Sequence, residues 1–186
     1  MYDTKQFRKN LKIELEGVPF AIVDFQFVSP GKGGAFVRTK LKNMLTGAVI
    51  EKTFKSGDKV DKPDLEQHEF QYLYREGDHF YFMNTANYEQ QPIDGKVIGE
   101  SSDYLKENTI TQILFHNGKA IGVDLPTFVE LKIIQTEPGS RSDTVTGANK
   151  PAKLETGAKI GVPLFVSEGD MIRVDTRDGT YVEKVK

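Results

Sequence analysis

The 186-residue sequence predicts an all-β protein made of three small barrels. Apolar and polar residues alternate at period two through most of the chain, and turn pairs such as Glu16-Gly17 and Asn117-Gly118 punctuate the alternation. Two proline-marked junctions, Val60 to Gln67 and Val123 to Glu130, divide it into residues 1–63, 64–127 and 128–186, each close to the smallest length that sustains its own core. A hydrophobic content of 38% suffices for such cores. No apolar run approaches the roughly 18 residues of a membrane helix. The start, MYDTKQFRKNLKIEL, lacks the apolar centre of a secretory signal, so a cytoplasmic protein without a membrane partner is expected. The absence of cysteine excludes disulfides, thiolate nucleophiles and zinc ribbons.

The first piece opens with LKIEL, in which Leu11, Ile13 and Leu15 share a face; Glu16-Gly17 turns the chain and VPFAIVDFQFV returns it. A second hairpin, AFVRTKLKNM and AVIEKTF about the turn LTG, sets Ala35, Val37, Thr39 and Leu41 on one face and Phe36, Arg38, Lys40 and Lys42 on the other. The middle piece continues with EFQYLY, a turn at Arg75 to Asp78, HFYFMN, and the pair ITQILFH and KAIGVDL around Asn117-Gly118. Its helical candidate is SSDYLKENT, with Ser101 or Ser102 as N-cap. The last piece supplies FVELKII, AKIGVPLFV, DMIRVDT and TYVEKV, the final two joined at Asp178-Gly179. Short strands with such turns suit partly open, five-stranded barrels of the oligonucleotide-binding (OB) type in the second and third pieces.

The net charge of −2 hides an asymmetry. Residues 1–63 carry twelve Lys/Arg against seven Asp/Glu, residues 64–127 four against eleven, and residues 128–186 nine against nine. A basic end and an acidic middle suit a protein that offers different faces to different neighbours. The basic end holds the stretch SPGKGGAF, Ser29 to Phe36, in which Ser29, Pro30, Gly31, Gly33 and Gly34 surround Lys32 with almost no side-chain bulk. It reads as a mount that presents one amine at the end of a tight loop, with the cationic stripe Arg38, Lys40 and Lys42 leading away from it. A nucleotide-binding P-loop does not fit, because Gln26 stands where its first glycine belongs and Gly33 where its magnesium-binding hydroxyl belongs. His68, His79 and His116 fall at no metal-ligand spacing, and DTRD at Asp175 to Asp178 lacks the glycine and distal glutamate of a calcium loop. No catalytic residue, metal site or cofactor is expected. The aromatics of FQYLY and HFYFM divide between two readings, barrel core and base-stacking platform.

The run from Phe7 to Phe54 resembles the first domain of bacterial elongation factor P, YLYREGDHFYFMN resembles its second, and the run from Lys150 to Lys186 its last. The lysine loop, the V-P-x-x-x-x-x-G-D segment from Val162 and the VDTR ending occur in order, so the likeness spans essentially the whole chain. That resemblance implies a KOW-like, SH3-type barrel followed by two OB barrels, arranged like an L-shaped tRNA. It further implies a monomeric factor without catalytic chemistry that enters the ribosome between the peptidyl and exit tRNA sites when consecutive prolines stall peptide-bond formation. Its partners would be ribosomal RNA, ribosomal proteins and peptidyl-tRNA. The motif PGKG places the family's modified lysine on Lys32, with a covalent extension added by an enzyme of unspecified type; the archaeal and eukaryotic counterpart carries hypusine in that role.

On this resemblance Arg38, Lys40 and Lys42 are phosphate contacts behind the loop, with Arg8 and Lys9 as further candidates. The family's P-G-x-x-G-D-T loop, which meets RNA near the exit-site codon, corresponds to Pro138 through Thr144, where Arg141, Asp143 and Thr144 are the candidate contacts and Ser142 replaces a glycine. The terminal Y-V-x-R pattern appears as Tyr181-Val182-Glu183-Lys184, in which Lys184 keeps a positive charge but loses the planar fork of arginine. Two other classes of function stand beside this one: a generic OB-fold protein that binds single-stranded nucleic acid through its aromatics, and an enzyme for a small molecule, for which no convergent polar pocket is evident.

Overall fold

Strand alternation dictates an antiparallel protein, and the computed structural model, which describes residues 1–139 and 148–185, is built of antiparallel sheets. The chain divides into two compact units, one of Met1–Glu66 with Phe115–Ile121 and one of Gln67–Leu114 with Gly122–Lys186. Among the described residues no helix is long and apolar enough to cross a membrane.

The first unit begins with β1 (Tyr2–Asp3) and a 3-10 turn over Thr4–Gln6, closed by a reciprocal cap in which Asp3 accepts from the Lys5 N–H at 2.8 Å and Gln6 accepts from the Asp3 N–H at 2.9 Å. β2 (Lys12–Leu15), β3 (Val18–Val28), β4 (Phe36–Asn43) and β5 (Val49–Lys55) form a meander in sequence order, and β6 (Lys59–Val60) returns to pair with β1. Glu16 and Gly17 both take positive φ, 52° and 78°, which gives the β2–β3 turn the twist that the flanking strands require. Leu11, Ile13, Phe20, Ile22, Val37, Leu41 and Phe54 fill the core. Along β4 the expected alternation holds residue by residue, with Val37, Thr39 and Leu41 buried and Arg38, Lys40 and Lys42 exposed. A bulge in β3 between Ile22 and Asp24 turns Asp24 outward, opposite Lys40. His116 is buried in this unit and lies 2.9 Å from Glu14 through Nε2, and Asn117 and Gly118, with φ of 49° and 77°, make the expected tight turn beside it.

The second unit contains most of a five-stranded sheet of β7 (Leu65–Glu76), β8 (His79–Asn84), β9 (Gln90–Asp94), β10 (Ile110–His116) and β11 (Lys119–Asp124), in the order β11-β10-β7-β8-β9. The helix expected over SSDYLKENT starts earlier. It spans Gly95–Ile98 (α1) and continues as a 3-10 helix over Gly99–Tyr104, and its N-cap is Asp94, which accepts from the Lys96 N–H at 2.8 Å. The reason is Gly95: its N–H donates to the Asp78 carbonyl at 2.7 Å, and a Cβ there would stand 3.1 Å from that oxygen, so a residue that reads as a helix breaker is the one that fits. Leu105 then turns extended and buried, ending the helix before LKENT.

The other sheet of this unit comprises β12 (Phe128–Thr136), β13 (Asn149–Leu154), β14 (Lys159–Pro163), β15 (Met171–Asp175) and β16 (Thr180–Lys184), in the order β14-β13-β12-β15-β16. Strand β13 is absent from the sequence-based assignment because it contains Pro151. The proline is tolerated since β12 stops at Thr136, opposite Ala152, one residue short of needing the missing N–H. Leu131, Ile133, Leu154, Val162, Val166, Ile172 and Val174 make the core, and Tyr104 of the 3-10 helix packs on it. The Tyr104 ring lies against the last hairpin so closely that a Cβ on Gly179, whose φ is +70°, would fall 2.2 Å from the tyrosine hydroxyl. Overpacking here leads to a definite expectation: Gly179→Ala lowers the unfolding free energy by about 1–3 kcal/mol in urea titrations, and adding Tyr104→Phe recovers part of the loss by removing the nearest clashing atom.

Candidate functional site

The ladder between β3 and β4 ends with Val28 opposite Phe36, and the seven residues from Ser29 to Ala35 close the hairpin. Only the tip of the hairpin passes its core, for Val37 on the rung before the last is still fully buried. Phe27 sits opposite the buried Val37, yet it is 52% exposed and touches only the rim, edge-on to Phe25 at 5.7 Å. Every residue of the loop is exposed, with Lys32 at its middle. The Ser56 N–H donates to the Ala35 carbonyl at 2.9 Å and ties the returning arm to the end of β5.

The three glycines are not equivalent. Gly33 has φ +104°, a region that side-chain-bearing residues rarely adopt, whereas Gly31 and Gly34 do not, and a Cβ on any of the three would meet nothing within 4 Å. The chain's own folding therefore requires glycine at Gly33 alone. At Gly31 and Gly34 neither the backbone conformation nor a neighbouring atom demands glycine.

Behind the loop, the outward side chains of β3, β4 and β5 form cross-strand rows. Arg38 lies between Gln26 and Thr53 with its guanidinium 5.5 Å from the Phe36 ring centre, while Lys40 lies between two carboxylates, Asp24 and Glu51. Lys42 is flanked by Ala21 and Val49. Lys9 is 3.4 Å from Asp24, and its hydrogen bond and charge, with smaller help from the Phe25 N–H and Lys40, hold that carboxyl below its ordinary pKa. Lys9 and Lys40 thus share one anion, whereas Arg38 keeps its field. A recess of about 680 Å³ at the root of the loop is lined by Gly34, Phe36, Arg38, Thr53, Lys55 and Ser56. Lys55 was not singled out from sequence; its signal is register, since it lies directly opposite Phe36. Arg8 lines a separate recess with Lys9, Lys12 and Lys62.

The candidates near the C-terminus belong to the other unit. Tyr181 is half-buried against the core of its sheet, and Lys184 places its Nζ 2.8 Å from Asp170, whose pKa it lowers chiefly through that hydrogen bond. Both have internal tasks. Arg141, Asp143 and Thr144, like Ser142, lie outside the described residues; Pro138 and Gly139 precede them, and a Cβ on Gly139 would come within 2.8 Å of the Leu164 carbonyl. Among the described residues no group of three or more His, Asp or Glu could hold a metal ion.

Family models match the chain end to end: an elongation factor P KOW-like domain over residues 3–60, an elongation factor P OB domain over 65–123, and an elongation factor P C-terminal domain over 129–184. The chain belongs to the elongation factor P family. Relatives of that name include the protein of Caldanaerobacter subterraneus subsp. tengcongensis, 54% identical with 96% of this chain and 97% of the relative aligned, and that of Desulforapulum autotrophicum, 51% identical with 100% and 99% aligned. The solved structure of eukaryotic translation initiation factor 5A from Methanococcus jannaschii shares the fold over 67% of this chain and 90% of its own, with a TM-score of 0.55 at 23% identity. The all-β class, with its KOW-like and OB barrels, is as expected, and the family is one of translation elongation factors.

The glycine geometry of this loop gives a separable expectation. Gly33→Ala costs about 1–2 kcal/mol of backbone strain, seen as a lowered Tm or rearranged loop amide resonances. Gly31→Ala and Gly34→Ala leave Tm and the spectrum of the β3–β4 hairpin unchanged.

Proposed function

We propose that this chain enters the ribosome between the peptidyl and exit tRNA sites and promotes peptide-bond formation at polyproline sequences by positioning peptidyl-tRNA through Lys32, bare or covalently extended. The observation that carries this reading is Lys32 itself, an exposed amine in the middle of a bare loop at the tip of the β3–β4 hairpin. RNA crowds phosphates and ribose hydroxyls together, so a probe of it must be thin, and glycines at Gly31 and Gly34 leave room for the partner. An ammonium offers three donors and no acceptor, which suits phosphate and 2′-hydroxyl oxygens near the end of a tRNA; an added group extends its reach and its donors. The same exposure opens Lys32 to a modifying enzyme. Arg38 and Lys55 at the loop's root supply phosphate contacts that fix register.

The factor itself makes and breaks no bond. It holds the peptidyl-tRNA in reactive geometry and so lowers the entropic share of a barrier that proline makes high. The rival reading, an OB-fold binder of free single strands, depends on exposed aromatics. Of the rings in FQYLY and HFYFM, Phe70, Tyr72, Phe80 and Phe82 are buried, and the outward pair Tyr74 and Tyr81 lies beside Glu76, whose charge opposes a phosphate.

Two outcomes test the proposal. In a reconstituted translation system, Lys32→Ala slows synthesis of a polyproline peptide about ten- to a hundredfold and leaves a proline-free peptide unaffected. Wild-type speed on polyproline with a folded Lys32→Ala protein would refute it. In ribosome binding measured against salt, Arg38→Ala weakens the complex and reduces the salt slope by about 1, while Lys40→Ala, whose charge Asp24 and Glu51 already offset, changes it less.

A further inference from the structure

A β-bulge in β7 moves an aromatic ring from the inside of its sheet to the outside. Plain alternation from Phe70 and Tyr72, both buried, would carry Tyr74 inward as well, but the bulge between Tyr72 and Tyr74 drops Leu73 out of register. Tyr74 therefore stands opposite Tyr81, which is flanked by the buried Phe80 and Phe82 and so faces outward. The two rings stack at 4.6 Å between centres with planes 12° apart, and Tyr74 is 43% exposed. Pro92 continues the row on β9, the edge strand.

The same shift withdraws the only lysine or arginine of these three strands. Arg75 now lies opposite Phe80, its guanidinium 5.0 Å from that ring and its Nε–H donating to the Gly77 carbonyl at 2.8 Å. The next outward row reads Glu76, His79, Asp94. Burial first, then the charges of Glu76 and Tyr74 and a hydrogen bond with Glu76, raise the Tyr81 pKa, so its hydroxyl stays a donor. Within β7, β8 and β9 the face thus combines a stacked aromatic pair with carboxylates and no lysine or arginine, in a segment, 64–127, that holds four Lys/Arg against eleven Asp/Glu.

We propose that this face is a docking site for an arginine-bearing basic segment of another protein, with a guanidinium laid on the Tyr74 ring and bonded to the Glu76 carboxylate. Guanidinium is planar and weakly hydrated, so it can stack on a ring and bridge to a carboxylate at once, which an ammonium cannot do equally well. A nucleic-acid strand would meet the same rings, but its phosphates would face carboxylates without a counter-charge. The site is separate from the Lys32 loop and does not depend on the role proposed for that loop.

The test is a resonance-monitored titration of the full chain at low salt with octa-arginine, octa-lysine and an octa-uridylate, in wild type, Tyr74→Ala and Glu76→Gln. Octa-arginine is expected to shift the ring signals of Tyr74 and Tyr81, to bind more tightly than octa-lysine, and to bind about tenfold more weakly to each variant. Glu76→Gln is nearly isosteric on an exposed side chain, so it reports even if Tyr74→Ala disturbs the strand. The proposal is overturned by equal octa-arginine affinity in wild type and Glu76→Gln, by larger tyrosine shifts with octa-uridylate, or by tyrosine shifts on simple dilution that mark a second copy of the chain as the occupant.

Discussion

The β3–β4 ladder, from Phe20 opposite Asn43 to Val28 opposite Phe36, is the constraint on which the site depends. Its inner face is anchored by Ile22, Val37 and Leu41, all fully buried, and the last rung, Val28 opposite Phe36, lies beyond that buried row. A loop mounted on such a ladder inherits the rigidity of the strands while keeping none of the bulk of the barrel. That separation lets Lys32 be both well placed and fully exposed, two properties that usually oppose each other, since rigidity normally comes from burial.

Electrostatics follow from the same register. The β3 bulge turns Asp24 outward beside Lys40, and Lys9 joins it, so part of the hairpin's cationic stripe is neutralised within the chain. Exposed pairs of this kind contribute little to stability, and their consequence lies in the shape of the field. Arg38, opposite Gln26 and Thr53, keeps its charge near the loop, whereas Lys40, opposite Asp24 and Glu51, is offset. At physiological salt, fields fade over about 8 Å, so only the cations near the root of the loop act together with its amine.

Much of this was legible in the sequence. The alternation in AFVRTKLKNM gave the buried and exposed faces of β4 correctly, because a strand with one wet face must alternate, and SPGKGGAF announced a loop because its residues can do little else. What escaped were features set by tertiary contact. The bulges that turn out Asp24 and Tyr74 add one residue to one strand, and nothing in DFQF or YLYR marks them. Gly95 starts a helix because Asp78 crowds it, and Pro151 sits in a strand because its neighbour ends a residue early. The packing of Tyr181 on the core and the ion pair of Lys184 with Asp170 join residues that the sequence alone does not bring together.

The hydrogen bond between Glu14 and His116 joins positions 102 residues apart, and the segment Phe115–Ile121 belongs to the same compact unit as the N-terminal barrel. Chains emerge from synthesis in order, so the barrel that carries the lysine is exposed to the cell long before its last contacts arrive. Its strands are local in sequence and can pair early, but closing so distant a contact waits for translation to pass the middle of the message. The loop is therefore carried by two successive structures, a nascent barrel without its histidine and a finished one.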